Sequence, residues 1–250
     1  MLWPDLLRSN GRTVTIALQI DASLQAQLEL ARQVQLRLLP DRRCCLGDWE
    51  VAFSYESAGF VSGDYVDLIP AGAEAFYFAL GDVSGKGVAA SMLMSHLHAT
   101  LRTLLPSNRT IEEVVTIASS TFCQSALPAQ FATLVLGKAD RSGNVELVNA
   151  GHNPVLLVAG AEVEVIAAAS LPLGMFCSTE FASIKRRVRS ESTLFLYSDG
   201  ITESTDEDGR VRPEPAYRNT PSVGKSAPVC GCGNDPTYHR SSHQSCATKR

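Results

Sequence analysis

Three aspartates, each beside a glycine and each at the border of an apolar, strand-like run, set the chemical question. They stand in Ser62-Gly63-Asp64-Tyr65-Val66-Asp67, in Gly81-Asp82-Val83-Ser84-Gly85-Lys86-Gly87 and, much later, in Tyr197-Ser198-Asp199-Gly200. Carboxylates are hard oxygen donors. A set of them suits a hard divalent cation such as Mn²⁺ or Mg²⁺ better than Zn²⁺. A strand end holds a carboxylate rigidly, and glycine lets the backbone turn there and approach a ligand closely. Any single Asp-Gly pair also reads as an ordinary turn; the set of three points to a site.

The elements that must position these residues follow from periodicity. Trp49, Val51, Phe53 and Tyr55 alternate as in a half-buried strand. Residues 66–69 and 75–80 read as a hairpin. After Gly87 the period changes, and Ala90, Leu93, Met94, Leu97, Leu101 and Leu104 mark one face of a helix. Thr110 and Glu113 form a capping box for a second helix, to about Ser125. Strands are expected near 131–138, 145–150, 153–159, 162–167, 181–188 and 193–198, with a hairpin turn at Asp140-Arg141-Ser142-Gly143-Asn144. Hairpins with a few grouped helices indicate an α+β fold of antiparallel sheets covered by helices.

Ahead of this, Asp21 or Ser23 can cap a helix that Pro40 stops. Leu24, Leu28, Ala31, Gln35 and Leu38 form a heptad-like stripe of little more than two heptads. The stripe fits a helix packed on its own domain, and it also fits a dimerising linker helix.

The ordered motifs resemble the SpoIIE-type branch of the bacterial metal-dependent protein phosphatases (PPM type). Ser62 to Asp67 matches that family's Gly-Gly-Asp-Tyr-Tyr-Asp-like segment. Residues 81–87 match its Gly-Asp-Val-Ser-Gly-Lys-Gly without change. Asn149-Ala150-Gly151-His152-Asn153-Pro154 matches Asn-Ala-Gly-His-x-Pro, and Tyr197 to Glu203 matches its Tyr-(Ser/Thr)-Asp-Gly-x-x-Glu segment. Gln35-Leu36-Arg37-Leu38-Leu39-Pro40 is similar to the Gln-x-x-Leu-Leu-Pro that often ends the helix before the domain. The resemblance spans about residues 24–209.

That resemblance implies an α-β-β-α sandwich of two antiparallel sheets flanked by helices. It implies metal-dependent hydrolysis of phosphoserine or phosphothreonine on a partner protein. The partner it implies is a phosphorylated STAS-type anti-sigma-factor antagonist in stress or sigma-factor signalling. Asp64 and Asp82 would be catalytic and hold two Mn²⁺ or Mg²⁺ ions, with Asp82 the bridge. The Val83 carbonyl and Asp199 would complete the metal ligands. Asp67 is expected behind these ligands or beside them through the hairpin. Lys86 reads either as a phosphate-attracting charge or as a solvated loop lysine. His152 reads as part of a structural turn. Ser84 stands where many eukaryotic relatives have a histidine. A degenerate phosphatase that only docks its partner is the alternative function.

The family would continue past Glu203 into a helix and a last strand with another metal-binding aspartate. Residues 211–250 contain no Leu, Ile, Met or Phe, and Asp235 has no strand-like run before it. Without such residues a segment buries too little apolar area to offset its ordering entropy. The expected organisation is a remnant at 1–20, a linker helix at 21–40 that could support a homodimer, a phosphatase domain at 41–210 and a disordered tail at 211–250. The tail reads as a truncated or frame-shifted end, as a natural disordered segment, or as a zinc site using Cys230, Cys232, His239, His243 and Cys246.

Composition limits the alternatives. With 45% hydrophobic and 19% charged residues, the chain is that of a globular protein able to bury a core. A net charge of −4 gives no basis for nucleic-acid or membrane-surface binding. No bilayer-length apolar run or secretory signal is seen, so a cytoplasmic location is expected. Of seven cysteines, Cys44, Cys45, Cys123 and Cys177 are expected to be reduced, the last two buried.

Overall fold

The computed structural model describes residues 22–202 apart from Gly47 and Ala58. The expectations for 1–20 and for the 211–250 tail, including its zinc alternative, lie outside the described residues.

Residues 22–36 form helix α1, and the chain then turns through Pro40. Strands β1 (Arg43–Leu46) and β2 (Trp49–Ala52) make a small antiparallel pair. The alternation at Trp49 announced β2. Nothing in Arg43-Cys44-Cys45-Leu46 announced β1, which is a strand because β2 supplies its ladder.

The frame of the molecule is a five-stranded antiparallel sheet in the order β3-β4-β5-β6-β9. It is built from β3 (Asp64–Pro70), β4 (Ala75–Val83), β5 (Ala132–Asp140), β6 (Asn144–Ala150) and β9 (Ile184–Arg187). Between β4 and β5 the chain forms α2 (Gly87–Leu104) and α3 (Ile111–Ser125). The capping box at Thr110 is present in both directions: the hydroxyl accepts from the Glu113 amide and the Glu113 carboxylate accepts from the Thr110 amide. A second sheet, β10-β7-β8, comprises β7 (Val155–Ala159), β8 (Glu162–Ile166) and β10 (Ser192–Phe195).

Two apolar cores explain the layers. On one face of the large sheet, Tyr65, Val83, Leu134, Leu136 and Val148 pack against Leu97, Leu101, Val115 and Phe122 of α2 and α3. On the other, Phe76, Phe78, Val135, Val145 and Leu147 pack with Val155 and Ile166, flanked by Trp49, Leu157, Leu194 and Leu196. Strict alternation along β4 and β5 sends successive side chains to the two cores. The fold is therefore α+β, with two stacked antiparallel sheets and a helical layer, as expected. Among the described residues no helix covers the outer side of the smaller sheet, where Val163 and Val165 are exposed.

The cysteine expectation needs correction. Cys123 of α3 and Cys177 form a disulfide, with Cα atoms 5.6 Å apart. Cys123 is half-buried and Cys177 exposed, so neither is an inert core thiol. The loop from Leu173 to Thr179 returns over the end of α3 and brings the two within bonding range, a proximity that 54 residues of separation conceal. Cys44 and Cys45 are free, as expected.

The α1 stripe is divided. Gln35 is buried, Leu28 is half-buried and Leu38 packs against the helical core, whereas Leu24 and Ala31 are exposed. No helix among the described residues is long and apolar enough to cross a membrane.

Candidate active site

β3 and β4 pair so that Asp64 lies directly opposite Asp82, and Asp82 in turn lies opposite Thr133 of β5. Tyr65 and Val83, one residue along, point into the helical core. Alternation therefore turns Asp64 and Asp82 towards the second sheet. The next turn of that sheet's chain after β10 leads to Asp199, the first residue of the short helix α4 (Asp199–Thr202).

Close approach at this end of the sheet depends on Gly63. A Cβ there would lie 2.6 Å from the Val83 carbonyl oxygen and 3.2 Å from Asp82 Oδ1. The Val83 amide donates to the Gly63 carbonyl at 3.3 Å, closing the hairpin mouth. Beyond Val83 the loop turns through Gly85 and Gly87, both with positive φ. The Ser84 amide donates to the Phe131 carbonyl, and the Phe131 amide donates to Ser84 Oγ. Ser84 is thus engaged in holding the loop. Lys86 is exposed at the entry to α2 and caps nothing.

The electrostatics single out Asp82. Burial, then the charges of Asp64 and Asp199, push its carboxyl up to about 7, although the Val83 amide acts the other way. Asp64 is also raised, chiefly by burial and in part by Asp199, while Ser62 Oγ donates to its Oδ2 at 2.6 Å and opposes the rise. The three carboxylates repel one another, and all are hard oxygen donors. That chemistry fits a hard divalent cation. The convergence is incomplete: among the described residues, no three His, Cys, Asp or Glu side chains are gathered into one metal-binding cluster.

Asp67 is not at this site. Its carboxylate is 1% exposed and accepts from Arg102 of α2 at 2.8 and 2.6 Å and from the Tyr65 hydroxyl at 3.1 Å. It lies on Tyr65's face, as its spacing required, and fastens α2 to the sheet.

His152 sits in a hydrogen-bonded turn. Its amide donates to Asn149 Oδ1, and its Nδ1 is 2.7 Å from Thr133 Oγ1. Asn149 Nδ2 donates to the Asn153 carbonyl, and Asn153 Nδ2 donates to the carbonyl of Tyr197. The turn therefore ties the strand beside Asp82 to the segment that carries Asp199. Burial pushes the His152 imidazole down to about 4, against smaller opposing effects of the Tyr197 carbonyl and Asp199.

The sequence motifs missed Thr133 and the reach of Gln35, whose side chain bonds both backbone groups of Ser62. Neither had a local signal, because each acts on a residue distant in the chain.

Residues 72–228, more than half of the chain, match the family described as Stage II sporulation protein E (SpoIIE). The chain belongs to the SpoIIE family. Among its curated relatives is Protein IcfG of Synechocystis sp., 27% identical over 213 residues, which cover 74% of this chain and 34% of IcfG. Phosphoserine phosphatase RsbP of Bacillus subtilis is 24% identical over 194 residues, which cover 75% of this chain and 48% of RsbP. The chain thus spans between a third and a half of the length of these two relatives. Among solved structures, the SiaA-PP2C domain of Pseudomonas aeruginosa superposes with a TM-score of 0.63 at 18% identity, covering 76% of this chain and 78% of that one. This shows that the SpoIIE-type chain has the PP2C phosphatase fold.

Proposed function

We propose that residues 41–210 are a protein serine/threonine phosphatase domain that acts on phosphoserine or phosphothreonine of a partner protein. The observation that carries this reading is the opposition of Asp64 and Asp82, with Asp82 held near 7 by burial and by the charges of Asp64 and Asp199. The name of RsbP as a phosphoserine phosphatase supports the substrate class.

In this reading Asp64, Asp82, the Val83 carbonyl and Asp199 hold Mn²⁺ or Mg²⁺. Two such ions, when bound, supply a water of lowered pKa and neutralise charge on the phosphoryl oxygens. The protein's own contribution is positional. Asp82 offers its carboxylate from the strand position directly opposite Asp64. Ser62 orients Asp64 through its hydroxyl. His152 stays neutral and joins the two halves of the site through Thr133 and the Asn149–Asn153 turn. The partner of this domain is a phosphorylated STAS-type anti-sigma-factor antagonist, and the helix ahead of the domain joins two copies.

A second reading is a partner-docking module without catalysis. It is favoured by the lack, among the described residues, of a cluster of three ligand side chains. Calorimetric titration of the chain with Mn²⁺ separates the two. Two binding events that disappear in Asp82→Asn support the enzyme; no binding supports the module.

A further inference from the structure

The Gln35 side chain makes a two-point clamp on a distant peptide unit. Its Nε2 donates to the Ser62 carbonyl at 2.7 Å, and its Oε1 accepts from the Ser62 amide at 3.0 Å. This pairing fixes which way the amide points, because a carbonyl needs a donor and an N–H needs an acceptor. Gln35 is 5% exposed and sits at the end of α1, five residues before Pro40. Buried amides are costly unless bonded, so the clamp holds α1 in place against the sheet.

Ser62 then passes the constraint on. Its hydroxyl donates to Asp64 Oδ2 at 2.6 Å and accepts from the Asp64 amide at 3.1 Å. A continuous path of hydrogen bonds runs from helix α1 to one carboxylate of the candidate site. No other side chain among the described hydrogen bonds touches Asp64.

We propose that Gln35 is a positioning residue: through Ser62 it makes the rotamer of Asp64, and hence the affinity for a divalent ion, depend on the seating of α1. The inference rests on the metal-binding reading above. By linkage the effect is reciprocal, so an ion at Asp64 must in turn steady the end of α1. The exposed leucines at the far end of α1 play no part in this path.

The experiment uses the full chain and two variants. Gln35→Met keeps the length and apolar stem of the side chain and removes both hydrogen bonds to Ser62, together with the long one that Gln35 Oε1 accepts from the Tyr55 hydroxyl at 3.5 Å. Ser62→Ala leaves the Gln35 clamp on the backbone intact and cuts the link to Asp64. Calorimetry with Mn²⁺ and hydrogen exchange of peptides covering 30–39 and 60–66 are the readouts, with and without Mn²⁺. We expect each variant to bind Mn²⁺ about tenfold more weakly, the effect of one well-placed hydrogen bond. In the unmodified chain Mn²⁺ should slow exchange in 30–39, and in both variants this protection should vanish. Without metal, Gln35→Met should speed exchange in 60–66, whereas Ser62→Ala should leave 30–39 as it was. Unchanged Mn²⁺ affinity in both variants, with stability alone reduced, overturns the proposal and leaves Gln35 a packing residue. If the unmodified chain binds no Mn²⁺, the metal reading has failed; the clamp is then upheld or overturned by whether Gln35→Met speeds exchange in metal-free 60–66.

Discussion

Asp64 and Asp82 are direct partners across the β3–β4 ladder, one on each side of a hairpin whose mouth is closed by Gly63 and Val83. Like charges opposite one another on a sheet are destabilising. Burial makes the repulsion worse and leaves Asp82 near 7. Such an arrangement costs stability in the bare fold, and a bound divalent cation would relieve it. Enzyme sites commonly carry local instability of this kind.

The hairpin mouth should not tolerate a side chain at position 63. Gly63→Ala places a methyl group 2.6 Å from the Val83 oxygen, so the backbones must part. We expect a loss of about 1–3 kcal/mol in denaturant unfolding, the usual cost of overpacking, together with weakened Mn²⁺ binding. A variant with unchanged midpoint and affinity would show that the close approach does not matter.

Much of this arrangement was legible beforehand. Hairpin β3–β4, helices α2 and α3 and the capping box follow from alternation, the 3.6 period and one Thr–Glu spacing. The ladder register could not be read, yet the motifs placed Asp64 and Asp82 near each other because the hairpin is local. Asp199 arrives from another sheet, and only the resemblance to a family linked it to them. Gln35, Thr133 and the Cys123–Cys177 pair act across 19 to 54 residues of sequence. Periodicity carries no information at that range. Asp67 shows the opposite case: its motif suggested the metal site, while its face on the strand directed it to Arg102.

The Arg102–Asp67 link should be structural only. Arg102→Met leaves a carboxylate in the core that keeps the Tyr65 hydroxyl and the Leu68 amide as hydrogen-bond partners, with His98 Nε2 3.7 Å from its Oδ2. Because the Arg102 side chain is 45% exposed, solvent softens the loss. We expect destabilisation of about 2 kcal/mol, read by chemical denaturation, with Mn²⁺ affinity of the folded variant unchanged. A selective loss of metal binding would return Asp67 to the site.

Acid stability should depend on His152. Its imidazole titrates near 6.5 when unfolded and is pushed down to about 4 in the fold. Between these values the unfolded chain binds the extra proton, so stability is present above about 6.5 and lost as the pH falls towards 4. The loss across the whole window is on the order of 3 kcal/mol. His152→Gln should flatten that part of the stability profile relative to the unmodified chain. Parallel profiles would mean that His152 is not held neutral.

Cys123→Ser should lower the melting temperature of oxidised protein. The disulfide closes a loop with a sequence separation of 54, for which the chain-entropy account gives about 2–4 kcal/mol. Peptide mapping without reductant checks the pairing directly. Equal melting temperatures for the oxidised parent and the variant would contradict the contribution.

The most direct test of the phosphatase reading is phosphate release from a phosphoserine peptide by the full chain, with Mn²⁺, with EDTA, and with Mn²⁺ in the Asp82→Asn variant. An amide at position 82 cannot balance the charge of metal ions as a carboxylate does. Release that needs Mn²⁺, stops in EDTA and is abolished in Asp82→Asn is the predicted result. Release that continues undiminished in the chelator, or in the folded Asp82→Asn variant, would contradict a metal centre built on Asp64 and Asp82.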